Sequence, residues 1–395
     1  MSQRLIVIYC GLLMSLSAFS VDITLPAFSD MVQEFATPYS YVQWTVTAYI
    51  FAAGAGQLFW GSVSDRFGRK PILFIGLAVL LVGQTLAVLA PTITLLLLAR
   101  VVQGLGAASA IVGSRAILRD LFSGKELARN MAMASLVFAV GPMLAPVIGA
   151  LIADFAGWRS IFFGLSCLTL VLIFMLGFFP ETSSLKDAHA LKMSRIQANF
   201  VALFTHPQSC FFVLVSMLAM AFMLLILTGA APLYETEFGI TGLVFAGLFA
   251  LHSLGIIAGQ ILNRRLIHSI GVVPSVAVAS AVMMVMSGIF VALTVGDLLS
   301  VIVLPLLLAL ANAGFLVFYS NATSLVLDPH QDRAGFAVSI FGFATQMGGA
   351  TIVSILVYFS NDDALGMSVL MLAIAIVILS ALMIWIGKKQ PIREV

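Results

Sequence analysis

The chemistry in this 395-residue sequence centres on one acid, Asp22, in the segment Phe19-Ser-Val-Asp22-Ile-Thr-Leu-Pro26. It lies near the end of an apolar run, 5–26, and it is the acid that falls inside an apolar stretch long enough to cross a bilayer. A carboxylate there costs about 3 kcal/mol on insertion scales, and its usual explanation is a proton, ion or substrate pathway. Going back by helical steps from Asp22 gives Phe19, Ala18, Ser15 and then Gly11, a mostly small and weakly polar face. Asp22 is therefore expected to face protein and not lipid.

Arg100 is the second intramembrane charge, in Leu95-Leu-Leu-Leu-Ala-Arg100-Val-Val-Gln-Gly104. At 1.5 Å per residue it lies roughly 9 Å, and Asp22 roughly 6 Å, below the outer ends of their runs, so their depths match. Arg100, Gln103, Gly104, Ala107, Ser114 and Arg115 form one polar, small-residue stripe. Arg115 reaches the cytoplasmic surface, where snorkelling explains it. Removal from water favours the neutral acid at Asp22, and a nearby Arg100 favours the carboxylate. A carboxyl between these two forces can take a proton from one side and release it on the other. A permanent ion pair or a hydrogen-bonded helix clamp is the alternative.

These groups need a scaffold that spans the bilayer. The chain is 61% hydrophobic and 9% charged, which implies a polytopic membrane protein. A net charge of +2, with dispersed basic residues, offers no nucleic-acid surface. Cys10, Cys167 and Cys210 fall in apolar runs, where buried, inert thiols are expected. Apolar runs occur at 5–26, 41–62, 71–91, 94–118, 127–153, 159–180, 207–232, 241–263, 272–295, 298–327, 334–358 and 364–387, giving an all-α protein of twelve transmembrane helices. The polar segment 181–206 separates two sets of six. The expected organisation is a six-helix bundle over 1–180, a cytoplasmic linker over 181–206 and a second bundle over 207–395. With the N-terminus inside, the outside loops carry one of the nineteen Lys and Arg, Arg159, and Arg100 and Arg115 lie within a span. All other positive charges fall inside, so both termini are expected in the cytoplasm. The two halves also echo each other. Gly56-Gln57 precedes Gly68, and Gly259-Gln260 precedes Gly271 at the same spacing. Two repeats with a cavity at their interface are a common transporter plan.

The turn after the second run reads Gly61-Ser-Val-Ser-Asp65-Arg66-Phe-Gly-Arg69-Lys70-Pro71. This resembles the loop signature of the major facilitator superfamily. Arg100-Val-Val-Gln-Gly104 is similar to that superfamily's span-4 motif, and Ala139-Val-Gly-Pro-Met-Leu-Ala-Pro-Val-Ile-Gly149 to the span-5 motif of its antiporters. Together with Val21-Asp-Ile-Thr-Leu-Pro26 and Ser114-Arg-Ala-Ile-Leu-Arg-Asp-Leu-Phe122, the pattern resembles the Bcr/CflA drug:proton antiporters, the bicyclomycin and chloramphenicol efflux proteins of bacteria. Met14 stands where some of these proteins carry another acid. The resemblance implies that Asp65, Arg66 and Arg69 act with Asp120 as a cytoplasmic gate. It also implies that Gly141, Pro142, Pro146 and Gly149 let span 5 bend and its neighbour approach closely.

The second half contains no acid corresponding to Asp22. His252, Asn312, Tyr319 and Gln346 there, with Tyr49 and Gln103 in the first half, are candidate substrate contacts. His252 is open to three readings: a proton partner, a substrate contact or a hydrogen-bonded interior histidine. Neither a His-Glu-x-x-His nor a Gly-x-Ser-x-Gly motif occurs, so enzyme chemistry is not expected. The expectation is a monomeric transporter of the bacterial inner membrane that exchanges small amphipathic drugs for protons. It would need no cofactor or metal, with the proton as coupling ion and the membrane lipid around it. A proton-coupled importer of a nutrient on the same fold is the alternative.

Overall fold

A computed structural model describes residues 3–183, 193–359 and 363–388; the expected inside charges Lys186, Lys192, Lys389 and Arg393 lie outside them. No strand occurs among the described residues. The helices are α1 (Gln3–Asp22), α2 (Phe28–Phe35), α3 (Tyr39–Phe67), α4 (Arg69–Val88), α5 (Ile93–Leu121), α6 (Gly124–Ala156) and α7 (Arg159–Gly177), followed by α8 (Met193–Thr205). Then come α9 (Pro207–Phe238), α10 (Gly242–Ile270), α11 (Val272–Val295), α12 (Val303–Leu327), α13 (Ala334–Phe359) and α14 (Ala364–Gly387). Apart from the short α2 and α8, each helix matches one expected run.

Ten segments among the described residues are long and apolar enough to cross a membrane by length and composition. Two expected spans do not pass that measure. α3 buries Gln43, Thr45, Thr47, Gln57, Ser62 and Ser64, and these polar residues dilute its hydropathy. In α6 the stretch whose side chains are all described, Val140–Ala156, is a shorter apolar helix. The chain is a multi-pass membrane protein.

Local chemistry sets the helix ends. α1 stops at Asp22, earlier than the expected 26, because Pro26 has no N–H to continue the ladder and disfavours helix in the residue before it. The Thr92 hydroxyl caps α5 by accepting from Leu95 N–H (3.3 Å), and Asp363 caps α14 by accepting from Gly366 N–H (2.7 Å). In the 181–206 segment, expected as a polar linker, the α8 helix forms. Cys10 is buried as expected, whereas Cys167 is exposed and Cys210 half-buried.

The chain divides into two compact units, Met1–Val201 and Ala202–Val395. Each follows one packing plan. In the first, α3 and α4 both pack on α5, α1 packs on α6 and α5, and α4 packs on α7. In the second, α10 and α11 pack on α12, α9 packs on α13 and α12, and α11 packs on α14.

The glycine echo fixes the register of this repeat. A Cβ on Gly56 of α3 would come within 2.7 Å of Ala108 Cβ in α5. One on Gly259 of α10 would come within 2.9 Å of the Ala313 carbonyl oxygen in α12. Gly56 therefore corresponds to Gly259 and Ala108 to Ala313. The turn glycines correspond too: Gly68 has φ +106° and Gly271 has φ +86°, values that residues with a side chain rarely adopt.

Candidate functional site

Asp22 is the last residue of α1 and is 6% exposed. The chain above it, Leu25 to Phe28, is buried and forms an apolar cover that includes a 3-10 turn. The small face of α1 packs against α6. Ser15 Oγ donates to the carbonyls of Gly11 (2.9 Å) and Val137 (3.1 Å). A Cβ on Gly149 of α6 would overlap the Ile23 carbonyl oxygen, next to Asp22. The absence of a side chain at 149 thus lets α6 seat the end of α1. Gly141 differs: an added Cβ would only touch Ser15 at 3.7 Å, so close approach does not require glycine there. α6 runs through Pro142 and Pro146 as one helix.

Arg100 is 1% exposed, on the α5 face that meets α3 and α1. Its Nε donates to the Thr45 carbonyl (3.2 Å), and one terminal nitrogen donates to the Ser20 carbonyl (3.0 Å) and to Gln103 Oε1 (2.8 Å). Gln103 Nε2 in turn donates to the Gly83 carbonyl (3.0 Å). The guanidinium carbon sits 4.5 Å from the centre of the Tyr49 ring, an attractive cation–π arrangement. The Tyr49 hydroxyl is bonded to Ser17, through its carbonyl and its Oγ, both at 3.2 Å.

Asp22 and Arg100 do not form the permanent ion pair that stood as the alternative reading. Arg69 instead pairs with Asp65 and Asp120, and Arg159 with Glu34. The Asp22 carboxyl has no hydrogen-bond partner among the described residues. Arg100 keeps one terminal nitrogen buried and unpartnered. Asp22 lies two residues after Ser20, whose carbonyl Arg100 holds, and the Tyr49 ring lies against the same guanidinium. Asp22, Tyr49, Arg100 and Gln103 therefore come together, with the tyrosine ring against the arginine. Sequence could not reveal the carbonyls of Ser20 and Thr45 as partners, because every residue carries one.

A second cluster forms at the α3–α4 turn. Arg69, 7% exposed, donates to Asp65 (2.6 Å), to Asp120 (2.8 Å) and to Ser64 Oγ (3.2 Å). Arg66 stands outside this cluster, exposed, with its guanidinium 5.3 Å from the Phe67 ring centre. Glu181, which the sequence reading did not single out, completes the turn. Its carboxylate accepts from the backbone N–H groups of Arg69 (2.8 Å) and Lys70 (3.1 Å), the first residues of α4. Lys70 Nζ donates to the carbonyls of Gly177 (2.9 Å) and Phe179 (2.7 Å) at the end of α7. Each helix end thus receives the charge its dipole favours. The available signal was an acid and a lysine at the facing ends of neighbouring helices.

The second unit holds its candidates differently. The Tyr319 hydroxyl and Thr345 Oγ1 are hydrogen-bonded at 2.8 Å, and the Tyr319 ring lies between Phe315 (5.4 Å) and Phe341 (5.3 Å). Asn312, one turn before Phe315, is buried with its Nδ2 unpartnered, and Gln346, beside Thr345, has a buried, unpartnered Oε1. His252 is 3% exposed, with its ring 4.9 Å from that of Phe249.

Comparison with known proteins gives this fold and site a family. The profile described as Major Facilitator Superfamily matches residues 10–353. The bicyclomycin resistance protein homolog of Haemophilus influenzae is 29% identical over 371 residues, 92% of this chain and 91% of the relative. The chloramphenicol resistance protein of Pseudomonas aeruginosa is 34% identical over 148 residues, 37% of this chain and 35% of the relative. The E. coli xylose transporter XylE, solved in a partially occluded inward-open conformation, matches with a TM-score of 0.75 at 14% identity, over 99% of this chain and 98% of its own. The nucleoside transporter NupG, solved as a point mutant, matches with a TM-score of 0.76, also at 14% identity, over 98% of this chain and 100% of its own. The chain is a transporter and not an enzyme, and it belongs to the Major Facilitator Superfamily.

Proposed function

We propose that this protein exports small amphipathic drugs, of phenicol or bicyclomycin type, across the bacterial inner membrane in exchange for protons by alternating access, with both termini in the cytoplasm. The observation that carries the reading is Asp22: a buried carboxyl without a hydrogen-bond or ion-pair partner among the described residues, covered by Leu25–Phe28, beside a Tyr49–Arg100 pair. Such a group has little to hold it in the charged form, so it accepts a proton when water reaches it from outside. Release toward the cytosol leaves a carboxylate that the spare Arg100 nitrogen can meet. The resistance proteins among the relatives support a drug as cargo. The driving force is adequate, at about 2.3 kcal/mol per charge per 100 mV plus the pH gradient.

The experiment is drug-linked proton release from purified protein, and efflux in vesicles, for wild type and Asp22→Asn. The variant should insert and accumulate normally, release no proton on drug binding and fail to drive efflux. Unchanged efflux by Asp22→Asn refutes the role. Drug flux inward along an imposed proton gradient refutes export.

A further inference from the structure

The register of the repeat assigns His252 a counterpart. With Gly259 at the place of Gly56, residue 252 of α10 stands where Tyr49 stands in α3. With Ala313 at the place of Ala108, residue 305 of α12 stands where Arg100 stands in α5. In the first unit the ring is covered by a guanidinium and its hydroxyl is bonded to Ser17. In the second unit the ring is an imidazole and the arginine's place is taken by Pro305, which offers neither charge nor N–H.

His252 consequently has nothing to bond among the described residues. Both ring nitrogens are buried and unpartnered. A neutral imidazole always carries one N–H donor and one lone-pair acceptor, and each bond left unmade away from water is costly. A group that the fold leaves unsatisfied on both sides points to a partner from outside the chain.

The surroundings describe that partner. Rings run along one face of α10 above the imidazole, Phe245 to Phe249 at 5.5 Å and Phe249 to His252 at 4.9 Å, and Tyr234 of α9 meets Phe245 edge-on at 5.6 Å. At helical spacing below it, Gly255 and Gly259 press α10 onto α12. Asn312 lies on the α12 stripe of that contact, in register with residue 258 and thus about 9 Å deeper than His252, and it adds a buried donor without a partner. No Asp, Glu, Lys or Arg occurs in residues 242–263 or 303–327. A cation at His252 would find no counter-charge on α10 or α12.

We propose that His252 is a ligand-recognition residue for uncharged, flat molecules that carry both a hydrogen-bond donor and an acceptor, such as an amide or hydroxyl beside an aromatic ring. This rests on the drug-efflux reading and narrows its substrate class. The test is direct binding to the purified full-length protein in lipid nanodiscs. The probes are radiolabelled chloramphenicol, which is neutral and bears an amide and hydroxyls, and tetraphenylphosphonium, which is cationic and bears neither.

His252→Phe keeps the ring stack and removes both hydrogen bonds. It should weaken chloramphenicol binding about tenfold or more, several times the loss seen with tetraphenylphosphonium. His252→Gln, which keeps a donor and an acceptor, should recover most of that affinity. Should the phenylalanine variant fail to fold, His252→Leu is measured by the same criteria. Chloramphenicol affinity in His252→Phe equal to wild type overturns the proposal, as does a parallel loss of both probes. Wild type that binds tetraphenylphosphonium and not chloramphenicol also overturns it, while leaving drug efflux standing. Efflux that survives Asp22→Asn instead sinks the coupling reading and leaves the His252 result intact.

Discussion

Where α3 crosses α5, the close contact is made by Gly104, whose missing side chain admits the Tyr49 carbonyl and Ala52. At the equivalent crossing of α10 and α12, Gly255 takes that part against Ala309. The glycine has changed helix while the contact has stayed. The charges behave differently. By the same register, Arg100 of the first unit answers to Pro305 of the second, Arg69 to Val272, Asp65 to His268 and Tyr49 to His252. The second unit adopts the same packing plan and the same positive-φ turn without those charges. The plan therefore does not require them, and their retention in the first unit argues for work done there. Close approach belongs to the scaffold, whereas charge belongs to one copy of it.

That comparison can be broken at the scaffold first, where the largest effect is expected. Gly149 faces the Ile23 backbone, which cannot move aside, whereas in the second unit's corresponding α9–α13 contact Gly348 faces the flexible end of Met217. Gly149→Leu should abolish accumulation of folded protein. Gly149→Ala should cost about 3 kcal/mol, and Gly348→Ala about 1 kcal/mol or less, by thermal melting of the purified proteins. Equal costs would mean that the two contacts are not equivalent in kind.

Arg100 tests the charge side. Because the plan tolerates Pro305 at this place, Arg100→Leu should accumulate, yet lose transport by about tenfold or more, at least 1.4 kcal/mol. Arg115→Ala, at an exposed position, should transport within about twofold of wild type. Equal rates for the two would remove Arg100 from the coupling machinery. A smaller contrast is expected at the turns. Arg69→Ala removes two ion pairs from a buried guanidinium and should lower stability by about 1–3 kcal/mol. Arg264→Ala, in the matching and exposed part of α10, should change it by less than about 0.5 kcal/mol.

Most of this fold was legible because hydropathy and chain length are one-dimensional signals: each expected apolar run became a helix, with the largest shifts at the ends of α9 and α10, which run on to Phe238 and Ile270. The exceptions have local causes. Pro26 cut α1 short at Asp22, and the buried polar residues of α3 kept it from reading as an ordinary lipid-facing helix. Within the site, residue type singled out all four side chains, together with the matched depth of Asp22 and Arg100 and the helix faces of Gln103 and Tyr49. Their pairing was not legible, because equal depth does not fix which side chain an arginine turns toward. Arg100 chose carbonyls, a glutamine and an aromatic face. Asp65, Arg66, Arg69 and Asp120 were all read from a motif, and of these Arg66 turns away from the cluster.

Glu181 sharpens the comparison at its finest scale, because it caps α4 from the end of α7 with a carboxylate on the N–H groups of Arg69 and Lys70. Partial burial works against its charge, yet the N–H groups of Ser183, Arg69, Lys70 and Thr182 hold its pKa below the usual glutamate value. A lowered pKa means that the folded state favours the carboxylate. The stabilisation is therefore fully present above the unfolded value of about 4.3 and is lost as pH falls through the folded one. Glu181→Gln keeps an acceptor oxygen but loses the charge and turns an NH2 toward one of the N–H donors. It should cost about 1 kcal/mol at pH 7, and that cost should shrink toward zero in melts taken at progressively lower pH. A deficit that stays constant down to about pH 3, below the ordinary glutamate range, would assign the effect to altered packing and not to the carboxylate cap.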